Sequence, residues 1–168
     1  MTALVPEPFS DHDKLAEAIH RRGCSNGIIG IDGWLGAGKT TLAKLLAEKL
    51  SAEHFDLDDA LHRDQGAYFQ HLDFNKIRSK LSNAPGRMVV SGVCFRQVLE
   101  LVSATASVHI YVKRMALSGW PDEHEIETEH LSGLGSLAGN TLRAEVRTYH
   151  AKYCPHETTD FEFHWREI

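Results

Sequence analysis

Apolar residues fall along this chain in two alternating rhythms. The run Gly27-Ile28-Ile29-Gly30-Ile31-Asp32 is short and continuous, as in a buried strand. It is followed by Leu42-Ala43-Lys44-Leu45-Leu46-Ala47-Glu48-Lys49-Leu50, where apolar positions recur at helical spacing and Ser51 or Ala52 closes the segment. The same alternation continues to the end. Before the first strand, Leu15, Ala18, Ile19 and Arg22 share a helix face that Ser10 or Asp11 caps and Gly23 ends, a leader helix within residues 1–26. Residues 53–59 alternate as a second strand. Residues 73–83 read as a helix with Phe74, Ile77 and Leu81 on one side, Asp73 as cap and Pro85-Gly86 as stop. Strand 87–92, a helical segment over about 95–103 and strand 107–112 follow. After an acidic stretch over 121–129 and a Gly-containing one over 131–139, residues 141–153 read as a helix and 161–165 as a last strand. Strands and helices in this order predict an α/β protein with a mostly parallel five-stranded sheet covered on both faces.

Chemistry enters between the first strand and the first long helix. Gly33-Trp34-Leu35-Gly36-Ala37-Gly38-Lys39-Thr40-Thr41 carries the spacing G-x-x-x-x-G-K-T. Glycines there let successive N–H groups turn inward around an anion at a helix N-terminus. Gly33, Gly36, Ala37, Gly38, Lys39, Thr40 and Thr41 are therefore the candidate ATP-binding residues, with Lys39 along the β- and γ-phosphates and the Thr40 hydroxyl on Mg²⁺. The plainer alternative is a Gly-rich turn with an exposed lysine. In open α/β sheets ligands bind beyond the carboxyl ends of strands, where Asp58 and Asp59 fall. Asp58 and Asp59 are candidates there to act on an acceptor hydroxyl or to hold a metal-bound water, and both alternatively just end a strand. Arg143 and Arg147 lie one turn apart, and either face a phosphate or pair with Glu145 or the acidic segment before it. Arg63 and Arg114 are further cation candidates. His150, Cys154 and His156 match no four-ligand zinc spacing. Trp34 either covers the loop or packs on a ligand.

Composition narrows the class. The chain has 168 residues, 42% of them apolar and 24% charged, which suits one soluble domain spanning 1–168. A net charge of -5, from 18 basic and 23 acidic residues with no basic run, argues against nucleic acid as partner. No apolar run approaches a membrane span, and the first residues lack the basic and apolar regions of a signal peptide. Three cysteines without C-x-x-C spacing suit reduced thiols and a cytoplasmic setting.

Gly30-Ile31-Asp32-Gly33, Gly36-Ala37-Gly38-Lys39-Thr40-Thr41-Leu42-Ala43, Leu57-Asp58-Asp59, Val89-Val90-Ser91-Gly92-Val93 and the segment Tyr149 to Pro155 together resemble the uridine kinase-like group of P-loop kinases. The resemblance runs from about residue 27 to 165. It implies a three-layer P-loop NTPase fold, ATP and Mg²⁺ at the loop, an acceptor-side aspartate at Asp58 and a lid over about 114–140. Three positions depart from the group: Ala60 and Leu61 stand where aromatic residues usually help hold the acceptor, Ser91 stands where an acidic residue often ends the third strand, and the residues after Arg114 are acidic where a basic lid is usual. The expected activity is ATP- and Mg-dependent phosphoryl transfer to a small hydroxyl-bearing metabolite such as a nucleoside, sugar or vitamin precursor. A nucleotide hydrolase and a nucleotide-binding regulatory module without catalysis are the alternatives.

Overall fold

The computed structural model describes residues 7–62, 67–127 and 142–166. Arg63 and residues 128–140 of the expected lid lie outside them. Five strands, β1 (Gly27–Gly33), β2 (Glu53–Asp56), β3 (Arg87–Ser91), β4 (Ala106–Met115) and β5 (Phe161–Arg166), form one sheet in the order β2-β3-β1-β4-β5. Every pairing is parallel. Parallel strands need crossovers, and these are supplied by α2 (Lys39–Lys49), α3 (Tyr68–His71), α4 (Phe74–Ser82), α5 (Phe95–Leu101), α6 (Glu123–Glu127) and α7 (Leu142–Tyr153), while α1 (His12–Arg21) precedes the first strand.

Alternate residues of the central strands serve two cores. Ile29, Ile31, Val89, Val108, Ile110 and Val112 face the layer of α1 and α2, whose Leu15, Ile19, Leu42 and Leu46 are fully buried. Ile28, Met88 and Val90 face the opposite layer, with Ile77, Phe95, Val98 and Tyr149. The sheet therefore has both faces covered, giving three layers. At Gly30 the packing leaves no room for a side chain: an added Cβ would stand 2.1 Å from Phe95 Cε1.

Local signals behave as the pattern predicts at several ends. Asp11 caps α1 through its Asp13 and Lys14 amides, Asp73 caps α4 through the Lys76 amide, and Ser51 takes a positive φ of 50° just past α2. Two expectations are corrected. The second strand stops at Asp56, because the Asp56 carboxylate accepts the Asp58 amide and turns residues Leu57–Ala60 into a 3-10 turn. The buried face of α1 is Leu15, Ala16 and Ile19, with Arg22 exposed. Within the acidic stretch, Ile126 of α6 is 7% exposed and joins the core. Among the described residues no helix is long and apolar enough to cross a membrane.

Candidate active site

The loop between β1 and α2 lies at the carboxyl end of the sheet, where crossovers from β1 and β3 leave toward opposite faces. Gly36 and Gly38 take φ of 70° and 88°, a region that a Cβ disfavours, and Gly38 is the N-cap of α2. Residues with side chains would straighten this turn. The first N–H groups of α2 have no partners inside the helix, so they and the loop amides form an anion-binding end.

Lys39 is almost fully buried beneath that end. Its ammonium donates to the Trp34 carbonyl at 2.6 Å. Burial pulls its pKa down, while the charges of Asp32, Asp58 and Asp56 hold it up. This arrangement excludes the alternative of an exposed lysine on an ordinary turn. Three carboxylates thus converge on one buried cation, and Asp58 is the only one of them that sequence reasoning singled out.

Asp56 is the residue it missed. Thr40 Oγ1 donates to Asp56 Oδ2 at 2.6 Å, and Asp56 stands opposite Ser91 in the β2–β3 register. Ser91 is fully buried and its hydroxyl pairs with His54 Nε2 at 3.1 Å. The carboxylate absent from the end of β3 therefore has a counterpart on the neighbouring strand. Thr40 and Asp56 make a hard oxygen donor pair of the kind magnesium takes.

Asp58 lines a cleft of about 350 Å³ together with residues 35–41, Asp56, Leu61, Tyr68, Gly92, Val93 and Leu142. The residue is open to solvent over much of its surface. Atoms crowding the carboxyl inside the cleft, then the Asp56 charge, nevertheless raise its pKa above the ordinary value, against the pull of Lys39. Asp59 is exposed and absent from this lining; its carbonyl accepts from Lys76.

On the other side of the loop, Gly36, Ala37, Gly38 and Thr41 meet Arg114, Trp165 and Arg166 around a second cleft of about 380 Å³. Trp165 Nε1 donates to the Gly38 carbonyl at 3.2 Å, and the indole would collide with any Cβ at Gly38. Arg114, at the end of β4, is thus brought to the loop. Arg143 and Arg147 are not: both pair with Glu125 of α6, which agrees with the acidic-segment reading and not with Glu145 as their partner. Glu145 instead accepts the amides of Tyr68 and Phe69.

Below the loop lies a buried polar layer whose contacts no local sequence pattern indicates. The Tyr149 hydroxyl donates to Asp32 Oδ2, and the Gly33 amide to Asp32 Oδ1 at 2.8 Å. Desolvation raises Asp32 to a pKa of about 6. His150 Nδ1 donates to the Val146 carbonyl at 2.7 Å, leaving Nε2 to accept from the Tyr111 hydroxyl at 2.8 Å. Burial lowers His150 to about 4. Trp34 is 2% exposed and meets the His150 ring edge to face at 5.3 Å, so it packs under the loop and into the core. Among the described residues no group of three His, Cys, Asp or Glu is placed to hold a metal.

A larger open groove of about 910 Å³ lies far from this chemistry, between α1, the end of α2 and the start of β3. Its walls carry mixed charges, including Asp13, Glu17, Arg21, Lys49 and Arg87. The cleft beside the glycine-rich loop is smaller, yet it joins a helix N-terminus, a buried lysine and convergent carboxylates.

A family model described as shikimate kinase matches residues 35–79, from the phosphate loop through β2 and α3 into α4. No curated protein matches the chain. Among solved structures, one of a possible uridine kinase from Bacillus stearothermophilus aligns over 90% of this chain and 96% of that one, with a TM-score of 0.56 and 16% identity. What the chain shares with that structure is its fold, a parallel α/β sheet between two helical layers.

Proposed function

We propose that this protein transfers the γ-phosphate of ATP to a hydroxyl of a small metabolite. The observation that carries the reading is the cleft in which the loop residues and buried Lys39 share one wall-to-wall space with Asp58. A nucleotide hydrolase needs only the first part; an acceptor side lined by Leu61, Tyr68, Val93 and Leu142 supports a second substrate.

Phosphoryl transfer demands positioning and charge stabilisation more than covalent chemistry. Loop amides and Lys39 bind the phosphates. The second cleft, with Trp165 and Arg114 beside Thr41, takes the base by stacking and cation contact. Thr40 and Asp56 would hold Mg²⁺, which supplies charge neutralisation on the β- and γ-oxygens when bound. Asp58 accepts the proton of the acceptor hydroxyl, and its raised pKa, due first to desolvation, makes it a better base than a free surface carboxylate. Nucleosides, sugars and vitamin precursors are the acceptor classes that the cleft suits.

The test is ATP turnover with Mg²⁺ across a panel of such acceptors. Acceptor-dependent ADP formation is expected, with slow turnover in its absence. Turnover indifferent to every acceptor assigns hydrolysis, and tight ATP binding without turnover assigns a regulatory module.

A further inference from the structure

We infer that the acceptor is an uncharged hydroxyl compound, and that the cleft selects against alcohols carrying a carboxylate or phosphate of their own. This rests on the kinase reading above and narrows its acceptor classes. Among the described residues lining the cleft, Lys39 is the one lysine or arginine, against the carboxylates of Asp56 and Asp58. Lys39 lies beneath the phosphate loop, donates to the Trp34 carbonyl and serves the phosphates of the nucleotide. Beyond the loop the wall is Asp58, Leu61, Tyr68, Gly92, Val93 and Leu142. The Tyr68 phenol is directed to the Asp58 carboxylate, whose pKa it lowers, so it is not a donor left over for a second anion.

An anionic acceptor meets repulsion here. The Asp56 charge already raises the pKa of Asp58, which shows how poorly this space shields one negative group from the next. The triphosphate brings negative charge of its own, which Lys39, the loop amides and Mg²⁺ offset. A further anion carried in with the acceptor adds like-charge contacts in a partly desolvated cleft, where they are costly. The cations that could offset it are engaged elsewhere. Arg143 and Arg147 pair with Glu125, Lys76 donates to the Asp59 carbonyl, Arg96 donates to the Thr158 carbonyl, and Arg114 lines the second cleft. Outside the described residues the sequence holds a single lysine or arginine, Arg63, which stands next to Asp64. An uncharged alcohol, by contrast, packs its carbon body on Leu61, Val93 and Leu142 while its hydroxyl meets Asp58.

The experiment uses the full-length protein with ATP and Mg²⁺. A panel of nucleosides, sugars, amino alcohols, hydroxy acids and sugar phosphates is screened first, and its best acceptor should be uncharged. That acceptor is then compared with two analogues bearing a carboxylate or a carboxamide at one carbon away from the reacting hydroxyl, so that charge is nearly the sole difference between them. The carboxamide should exceed the carboxylate by about a hundredfold in kcat/KM. The gap should narrow as salt is raised, because screening weakens repulsion, while ATP affinity by calorimetry stays the same with either analogue present. Leu61→Arg and Leu142→Arg each put a cation on the wall, and a variant that keeps the parental melting temperature should close the gap by about tenfold. A parent that uses the carboxylate as well as the carboxamide, or whose best acceptor is an anion, overturns the inference and leaves the kinase reading intact; loss of that anion preference in Arg63→Ala would assign the anion to Arg63. A parent that binds ATP and phosphorylates no acceptor overturns the kinase reading and this inference with it.

Discussion

The Thr40 hydroxyl donates to Asp56 Oδ2 across 2.6 Å, joining the first turn of the helix after the phosphate loop to the end of the neighbouring edge strand. Asp56 and Asp58, two residues apart, thereby acquire separate duties. The first turns the chain and faces the threonine; the second faces the acceptor cleft.

Asp56→Asn should therefore raise the Mg²⁺ concentration needed for half-maximal activity by roughly tenfold or more, because a charge-assisted oxygen donor is replaced by a neutral amide. Metal-free ATP affinity should change little. A Mg²⁺ titration monitored by ATP affinity reads this directly, and an unshifted titration would remove Asp56 from the metal site.

Asp58→Asn should leave ATP affinity near that of the parent and reduce acceptor-dependent transfer by a factor of about 10²–10⁴. Lys39→Ala should do the opposite in binding, weakening ATP by at least about tenfold, since it removes the buried cation on the phosphates. Calorimetry and steady-state kinetics on the two variants separate the roles; a Lys39→Ala protein with parental ATP affinity would empty the proposed phosphate site.

Two buried groups beneath the loop give opposite pH dependences. Asp32 titrates at about 6 in the fold against 3.8 unfolded, so its contribution is full below pH 3.8 and is lost as pH rises through 6, on the order of 3 kcal/mol. His150 titrates at about 4 against 6.5, so its contribution is full above pH 6.5 and is lost as pH falls toward 4. The slopes offset each other between pH 4 and 6 in the parent. Asp32→Asn removes one of them, and its stability should climb with pH over that window more steeply than the parent's. Urea unfolding at several pH values checks this; parallel curves would mean that Asp32 titrates normally.

Trp165 touches the Gly38 carbonyl on the side of the loop opposite the acceptor cleft. ATP should alter tryptophan fluorescence, and Trp165→Phe should abolish most of that change while weakening ATP by about five- to tenfold through lost stacking area. A full-sized signal in the variant would move the base elsewhere.

What the sequence disclosed and what it hid follow from range. The five strands, the loop, and the caps at Asp11 and Asp73 depend on neighbours within a few residues, and each was legible in periodicity and spacing. Asp56 was hidden because alternation over 53–59 runs straight through it, while a side-chain bond to the Asp58 amide ends the strand. Tyr68, Glu145 and the Tyr149–Asp32 contact join residues dozens of positions apart, and no local pattern announces them. The pairing of Arg143 and Arg147 was open between two acidic partners until α6 placed Glu125 beside α7.

The central claim is that the phosphate loop and Asp58 serve transfer to a bound hydroxyl. It is tested most directly by measuring ADP formation by parent and Asp58→Asn proteins with ATP, Mg²⁺ and a panel of nucleosides, sugars and vitamin precursors. Turnover should rise severalfold or more with a particular acceptor and collapse in Asp58→Asn while ATP still binds. Turnover that no acceptor stimulates, or that survives Asp58→Asn undiminished, would contradict it.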